Sequence, residues 1–444
     1  MTYEQSLAYL DSLIKFGIKF GLDRIRALAS EFGDPQDRLR VIHVGGTNGK
    51  GSTCAFISSI LREADYRTGL YLSPYVNDVR ERIQVDGKLI SKREFAELVA
   101  EIKPVADRIS RSDLGPVTEF EVKTLMAYLH FARREVDFAV LEVGMGGRFD
   151  ATNLVRPLVA VITNVSLDHT ERLGTTVAKI AREKAGIIKN GSIVVTAAAD
   201  ERAWRVILNR CREEGVEVWR VIRSHAPKAN SPSADVQFRL SSKPSRHPGP
   251  VEGAQESFSL NSGEVHLMGL TPGLRGRFQH VNAATAIAAA LALERYEVRL
   301  PPKAIFAGVA NAYLPGRLEV LRENPRLIID GAHNPDAAAN LASAVQSAFA
   351  FEKLILVIGM LNTHSVEGVL GHLAPIASKV IATQSKWHLA RPAHEVAEAA
   401  RTWCEDVEVI ERVPDAVERA VSAAGKNDLV LATGSFYTIG EVPR

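Results

Sequence analysis

The sequence predicts an α/β protein of more than one domain, and three observations carry that prediction. An apolar strand pattern, Val41-Ile42-His43-Val44, runs into a glycine-rich turn, Gly45 to Thr53, and then into a helical pattern. Short buried-type strands alternate with helix-like stretches both before and after residue 298, as in parallel sheets flanked by helices. The chain has 444 residues, more than one typical core holds, so length alone predicts about two or three domains.

Composition narrows the class of function. Lys plus Arg number 54 against 52 Asp plus Glu, a formal charge of +2, which gives no general reason to expect nucleic acid or an anionic membrane as partner. Cys54, Cys211 and Cys404 are far apart and odd in number, which fits buried thiols in a reducing compartment and neither a disulfide framework nor a zinc site. Met1 to Leu10 lacks a basic segment leading an apolar run, and no apolar stretch approaches the roughly 18 residues of a membrane span. A cytoplasmic protein is expected.

Taken in order, residues 3 to 31 read as two helices joined by an elbow at Gly17 and Gly21. The turn that follows the first strand reads as a phosphate cradle. Gly45, Gly46, Gly49 and Gly51 permit positive φ and close backbone approach, so that successive N–H groups converge on an anion at a helix start. Lys50 supplies a mobile positive charge, and Ser52 or Thr53 a hydroxyl for magnesium. The match to G-x-x-x-x-G-K-[ST] is imperfect, because Val44 stands at the first glycine and Gly51 follows the lysine directly.

Cys54 to Ala64 reads as the next helix and Thr68 to Tyr71 as a strand, followed by Ser73-Pro74. A serine there is either an ordinary Ser-Pro turn or a ligand at the carboxyl end of a strand. Residues 92 to 112 and 117 to 134 read as helices. Asp137 to Val143 is a buried-type strand ending near Glu142, and a carboxylate there is costly unless paired or bound to a cation. The next strand, Leu158 to Thr163, leads to His169. Each residue alone fits a structural role; together, beside a phosphate loop, they favour a Mg2+ site. Within the helix of residues 176 to 191, Lys179, Arg182, Lys184 and Lys189 read singly as a solvated face.

Residues 224 to 263 turn rich in Ser, Pro and Gly with alternating Val236, Phe238, Leu240, Phe258 and Leu260, predicting irregular hairpins or a partly mobile segment, with little chemistry. Residues 277 to 294 form an alanine-rich helix. A second α/β unit follows, with strands near 327 to 330, 354 to 358, 379 to 383 and 428 to 432. The first domain is therefore placed at 1–298 and the second at 299–444, with the stretch to Pro315 left open between them.

The motifs in fixed order resemble folylpolyglutamate synthase and the bifunctional dihydrofolate synthase of bacteria, within the Mur ligase superfamily. They include GLDRI at 21–25, HVGGTNGKGST at 43–53, YLSP at 71–74, TEFE at 118–121, EVGMGGRFDATN at 142–153, REKAGIIK at 182–189, PGRLE at 315–319, DGAHNPDAA at 330–338 and TGSFY at 433–437. The resemblance implies a P-loop-containing, Mur-ligase-like ATPase domain followed by a smaller Rossmann-like α/β domain that binds glutamate. It implies ATP held by Thr47, Asn48, Gly49, Lys50, Gly51 and Ser52, with Asn282 at the adenine end and Arg317, Asp330 and His333 reaching from the second domain, which closes over ATP through a hinge near 298 to 315. It implies paired Mg2+ ions on Ser73, Glu142 and His169, and a carbamylated Lys184 beside them. Thr118, Glu119, Phe120 and Glu121, with Phe149, Asp150 and Ala151, look like the pterin-binding positions.

What the resemblance implies about chemistry is an ATP-dependent amide ligase that joins L-glutamate to dihydropteroate and to reduced folates through an acyl phosphate, acting as a monomer. Two departures bear on the substrate. Lys19 stands where bacterial bifunctional members can show an acidic residue, which points away from dihydropteroate, whereas Arg148 and Asp150 match the bifunctional pattern. Gly359 to Ser365 (GMLNTHS) replaces a usual G-x-x-x-D-K-D. The rivals are a strict folylpolyglutamate synthase, a peptidoglycan-type ligase and a P-loop ATPase switch.

Overall fold

The structure is a computed structural model that describes residues 1–17, 19–224, 235–240 and 256–444. It divides into two compact units, one of Met1–Arg239, Ser259–Leu270 and Val281–Ala312, the other of Tyr313–Arg444 with Thr271–His280 and the described part of Leu240–Phe258. The last division along the chain falls between Ala312 and Tyr313, so residues 299–312 group with the first unit and Thr271–His280 with the second, unlike the division at 298 expected from the sequence.

Eleven strands form one sheet among the described residues: β1 (Val41–Gly45), β2 (Thr68–Tyr71), β3 (Ile83–Val85), β4 (Lys88–Leu89), β5 (Phe138–Glu142), β6 (Pro157–Ile162), β7 (Ile193–Thr196), β8 (Val218–Arg223), β9 (Asp235–Leu240), β10 (Phe258–Ser262) and β11 (Val265–Leu270). Their order is β11-β10-β9-β8-β7-β6-β1-β5-β2-β3-β4. From β9 through β2 neighbouring strands are parallel, and β3 and β4 close that edge in antiparallel pairs. Helices accompany the sheet: α1 (Tyr3–Ile14), α2 (Asp23–Ser30), α3 (Lys50–Glu63), α4 (Lys92–Ile109), α5 (Glu119–Arg133), α6 (Thr170–Leu173), α7 (Val177–Ala185), α8 (Glu201–Glu214), α9 (Phe278–Ala292) and α10 (Pro302–Asn311).

The central strands are apolar because helices cover both faces. Val41, Ile42 and Val44 of β1 are fully buried, and each such side chain contributes about 1.5–3 kcal/mol by leaving water. One core joins α1, α2, α4 and α5 to the sheet, and another joins β6 and β7 to α7 and α8. The alanines of α9 from Ala283 to Ala290 are buried, so a small-residue face lets this helix pack closely.

The second unit carries β12 (Glu319–Glu323), β13 (Arg326–Ile329), β14 (Leu354–Ile358), β15 (Lys379–Gln384), β16 (Val407–Arg412) and β17 (Leu429–Thr433) in the order β12-β13-β17-β14-β15-β16. All pairs are parallel except β12 with β13. Its helices are α11 (Pro335–Ala348), α12 (Val366–Leu373), α13 (Ala393–Ala400), α14 (Val413–Ala423) and α15 (Phe436–Ile439).

Six strands escape the sequence pattern: β3, β4, β8, β11, β12 and β16. Strands β12 and β16 are sheet edges, half-exposed to exposed, so Glu and Arg side chains break their apolar alternation. The hairpins expected between 224 and 263 are instead regular at β9 and β10, where Val236, Phe238, Phe258 and Leu260 are buried; residues 225–234 and 241–255 of that stretch lie outside the described residues.

Helix α10 belongs to the first unit because it lies directly on α3. A Cβ on Gly308 would sit 2.4 Å from Ile60 Cα, so only glycine admits this approach. Gly308→Val is expected to cost about 1–3 kcal/mol or more through overpacking, read as a lowered midpoint in urea unfolding.

Candidate functional site

Strands β6, β1, β5 and β2 are neighbours and run parallel, so the loops leaving their carboxyl ends share one edge. Those loops carry His169, the phosphate loop and Ser73, and Glu142 ends β5 at the same edge. The sheet order therefore assembles the predicted set from four separate sequence segments.

The phosphate loop is fixed by contacts that tolerate no side chain at two positions. Gly46 has φ 142° and a Cβ there would fall 1.9 Å from Thr163 Oγ1; Gly49 has φ 82° and its Cβ would fall 2.3 Å from Asn282 Oδ1. Gly45 lies in β1 and Gly51 in α3, so neither needs the left-handed region the sequence allows them. The amides of Thr47 and Asn48 are also unavailable to an anion. Thr47 N donates to Asn164 O at 2.9 Å and Asn48 N to Asn164 Oδ1 at 2.7 Å, while Thr163 Oγ1 donates to Asn48 O at 2.6 Å. What remains for an anion is the first turn of α3, whose N-cap is Gly49 and which no side chain caps. Lys50 opens that helix, with Nζ 3.0 Å from Thr47 O, and the buried Thr53 hydroxyl has no partner.

Thr163 and Asn164 are the residues that sequence reasoning missed. Their signal was a Thr-Asn pair ending the strand next to β1. Ser166 adds to the brace, because its N–H donates to Thr47 Oγ1 at 3.1 Å.

Lys184 is not part of a solvated face. It is buried on α7, and its Nζ donates to Gly46 O at 2.7 Å. Burial first, and then repulsion from Lys50, draw its pKa down to about 7. Lys189 is also turned inward, donating to the carbonyls of Asn153 and Val155 at 2.6 Å each, whereas Arg182 is exposed.

Glu142 is buried at the end of β5 and accepts the Ser73 amide at 2.7 Å, which joins two of the three predicted metal ligands. His169 adopts φ 49° ahead of α6, with Nε2 3.9 Å from Asp168 Oδ2. Among the described residues no group of three His, Cys, Asp or Glu side chains is placed to hold a metal ion.

Several of the positions expected to bind pterin are structural anchors. Thr118 and Glu121 form a capping box on α5, and Glu121 also receives Arg24 Nε of the GLDRI segment at 3.0 Å, a buried pair. Glu119 pairs with the buried Lys123, whose pKa burial lowers to about 8. Phe120 packs against Gly144 of the next loop, where a Cβ would be 2.5 Å from its ring. Asp150 is buried, and its two oxygens accept Met145 N at 2.8 Å and Thr152 N at 3.0 Å, so its carboxylate shapes the loop. Phe149 is exposed, with the Arg148 guanidinium 4.8 Å from its ring, and Ala151 is buried.

In the second unit the carboxyl edge of its own sheet gathers Arg317, Asp330 and His333. Asp330 accepts Leu318 N at 3.0 Å and Ala332 N at 2.9 Å, and although Arg317 opposes it, burial raises its pKa. The Arg317 guanidinium lies 4.8 Å from the Phe436 ring centre, and its Nε has no hydrogen-bond partner. His333 donates through Nδ1 to Gly331 O at 2.8 Å, and its ring lies tilted at 45°, 4.8 Å between centres, to that of His364, the residue that stands in the GMLNTHS departure.

Comparison with known proteins decides the family. Residues 44–290 match the Mur ligase middle domain, and residues 316–436 match the Mur ligase glutamate ligase domain. The chain is 35% identical over 446 residues to the dihydrofolate synthase/folylpolyglutamate synthase of Bacillus subtilis, covering 99% of this chain and 98% of that one. This chain belongs to the Mur ligase superfamily, in its dihydrofolate synthase/folylpolyglutamate synthase branch. Solved structures agree. Escherichia coli FolC in complex with DHPP and ADP superimposes with a TM-score of 0.84 at 30% identity, covering 99% and 96% of the two chains. The bifunctional enzyme of Yersinia pestis complexed with AMPPNP and Mn ion gives 0.80 at 32%, covering 99% and 97%. The chain is thus an ATP-dependent ligase that uses a nucleotide and a divalent metal, built on the two-domain α/β plan read from its sequence. Among the described residues no helix is long and apolar enough to cross a membrane.

The buried Lys184 makes a signed prediction about stability. Its folded pKa lies below that of an unfolded lysine, so protonating the native protein carries a cost that is full below pH 7 and falls away as pH rises toward 10.5. Lys184→Met is therefore expected to gain most relative to wild type at pH 7 and below, with the difference shrinking by about 1.4 kcal/mol per pH unit above it. Guanidinium unfolding of both proteins at several pH values checks the sign.

Proposed function

We propose that the chain ligates L-glutamate to dihydropteroate and also extends reduced folates that already carry glutamate. The observation that carries this reading is the loop Gly144 to Asn153, which keeps Arg148 and Asp150 and places Phe149 at the surface beside the phosphate edge. The relative complexed with DHPP supports it. Lys19 favours the strict polyglutamate reading; its carbonyl accepts Arg24 Nη2 at 2.9 Å, which ties that departure to the capping residue Glu121.

A carboxylate is a poor electrophile, so an acceptor oxygen first takes the γ-phosphoryl group, ADP leaves, and the glutamate amine then displaces phosphate at the carbonyl carbon. Lys50 and the uncapped first turn of α3 stabilise the phosphates, with Thr47 to Ser52 fixing the loop. Mg2+, in one or two sites, fits Ser73, Glu142, His169 and the Thr53 hydroxyl, and when bound it neutralises charge on the transferring group. Lys184, partly neutral near pH 7, is proposed to add to CO2 with loss of a proton, giving a carbamate that turns a cation into an anionic ligand. Asn282, which packs against Gly49, is proposed for the adenine end, and Arg317, Asp330 and His333 for the nucleotide from the second unit. Thr118 to Glu121 and Phe149 to Ala151 are proposed for the pterin. A monomer in the cytoplasm completes the reading.

Phosphate release with Mg2+, ATP and L-glutamate, compared across dihydropteroate, tetrahydrofolate and no acceptor, tests the proposal. Release with dihydropteroate and a product heavier by one glutamyl unit is expected; activity with tetrahydrofolate alone moves the chain to the strict branch, and acceptor-independent hydrolysis refutes ligation. Lys50→Ala is expected to lower turnover about 100- to 1,000-fold with the fold intact, by loss of a charged phosphate contact.

A further inference from the structure

A hollow of about 430 Å3 lies between the loop that carries Phe149 and the paired helices α7 and α8. Arg148 from the loop, Arg182 from α7, and Asn209, Arg210 and Glu213 from α8 line it. Three guanidinium groups face the carboxylates of Glu213 and Glu214, which leaves a local excess of +1. Arg210 is engaged by Glu213 and Glu214, but Arg148 and Arg182 have no carboxylate partner among the described residues. Such an arrangement repels itself unless an anion is present.

The arginines are also held in place. Arg148 N donates to Glu183 O at 2.8 Å, and a Cβ on Gly186 would fall 2.4 Å from Arg148 Cβ, so the loop sits directly on the last turn of α7. Lys184 on this helix is buried toward the phosphate loop, whereas Arg182 is exposed toward the hollow.

We infer that this hollow holds the γ-linked polyglutamate tail of a folate substrate, and the inference rests on the acceptor proposed above. Only the terminal carboxylate of a tail can be at the reacting centre. Each added glutamate therefore moves the pteroyl end outward and adds one more α-carboxylate that must be neutralised outside that centre. Arg148 adjoins Phe149, so a tail passing the substrate loop meets its guanidinium first, with Arg182 and Arg210 beyond. Planar guanidinium groups pair with carboxylates in two-pronged fashion, and a volume of this size falls within the range of about 300–1,000 Å3 common to ligand pockets.

The test compares wild type with Arg182→Glu and Arg182→Lys, an exposed position that leaves the core intact. Michaelis constants are measured for monoglutamyl and triglutamyl tetrahydropteroate, and binding of synthetic penta-γ-glutamate, which lacks a pteroyl group, by calorimetry at low and high ionic strength. Arg182→Glu is expected to raise the triglutamyl KM about tenfold, to leave the monoglutamyl KM and kcat unchanged, and to shorten product tails, while Arg182→Lys retains most of the effect. Equal shifts for both substrates, or none for either, overturn the inference. Tripolyphosphate binding as tightly as penta-γ-glutamate, with no dependence of KM on tail length, reveals a general anion site and overturns it too. If wild type ligates glutamate to no folate, the acceptor proposal falls, and penta-γ-glutamate binding still decides the arginine site without turnover.

Discussion

The absence of two Cβ atoms is the constraint on which the rest of the first unit depends. Because Gly46 lies against Thr163 and Gly49 against Asn282, the phosphate loop is clamped between the strand beside it and the alanine-rich helix α9. Asn164 then takes up two loop amides that would otherwise point into the site, which leaves the anion to the end of α3 alone. The charge at this point comes from a helix terminus and Lys50, and its shape comes from β6 and α9. An anion site so assembled reorganises little when occupied, which is where electrostatic stabilisation is most effective.

The neighbouring loops repeat that economy. Glu121 caps α5 while holding Arg24 from α2, and Asp150 folds the loop behind Phe149 with both of its oxygens. Residues that the family resemblance marks for the substrate are therefore also the residues that give the substrate loops their form. Losing one would act through positioning as much as through contact, and separating the two calls for readouts that respond to more than overall activity.

Much of this was legible in the sequence because strongly apolar strands and loop motifs coincide. The segment Val41 to Thr53 announced strand, loop and helix, and a helix was expected to begin at Val117 to Glu121, where the structure adds the capping box of Thr118 and Glu121. Strands β8, β12 and β16 were not legible, since half-exposed positions accept charge and erase the alternation that identifies a strand. Lys184 was the harder case. A lysine in an amphipathic helix looks like solvent-facing charge, and only its neighbour in three dimensions, the carbonyl of Gly46, shows that it is turned inward. Thr163 and Asn164 were hidden for the same reason: a Thr-Asn pair at a strand end is a visible signal, but only the sheet order shows which loop it braces.

His43 gives the arrangement one further property. It is wholly enclosed on β1 with Nε2 2.8 Å from Thr152 Oγ1, which in turn donates to Asp150 at 2.6 Å. Burial first, and the nearby charge of Lys189 second, hold its pKa down to about 3, so the imidazole stays neutral across any acidity a living cell reaches. The linkage from central strand to substrate loop is thus a spectator to acidity. Whereas burial draws the pKa of Lys184 down to about 7, the imidazole beneath the substrate loop keeps one protonation state.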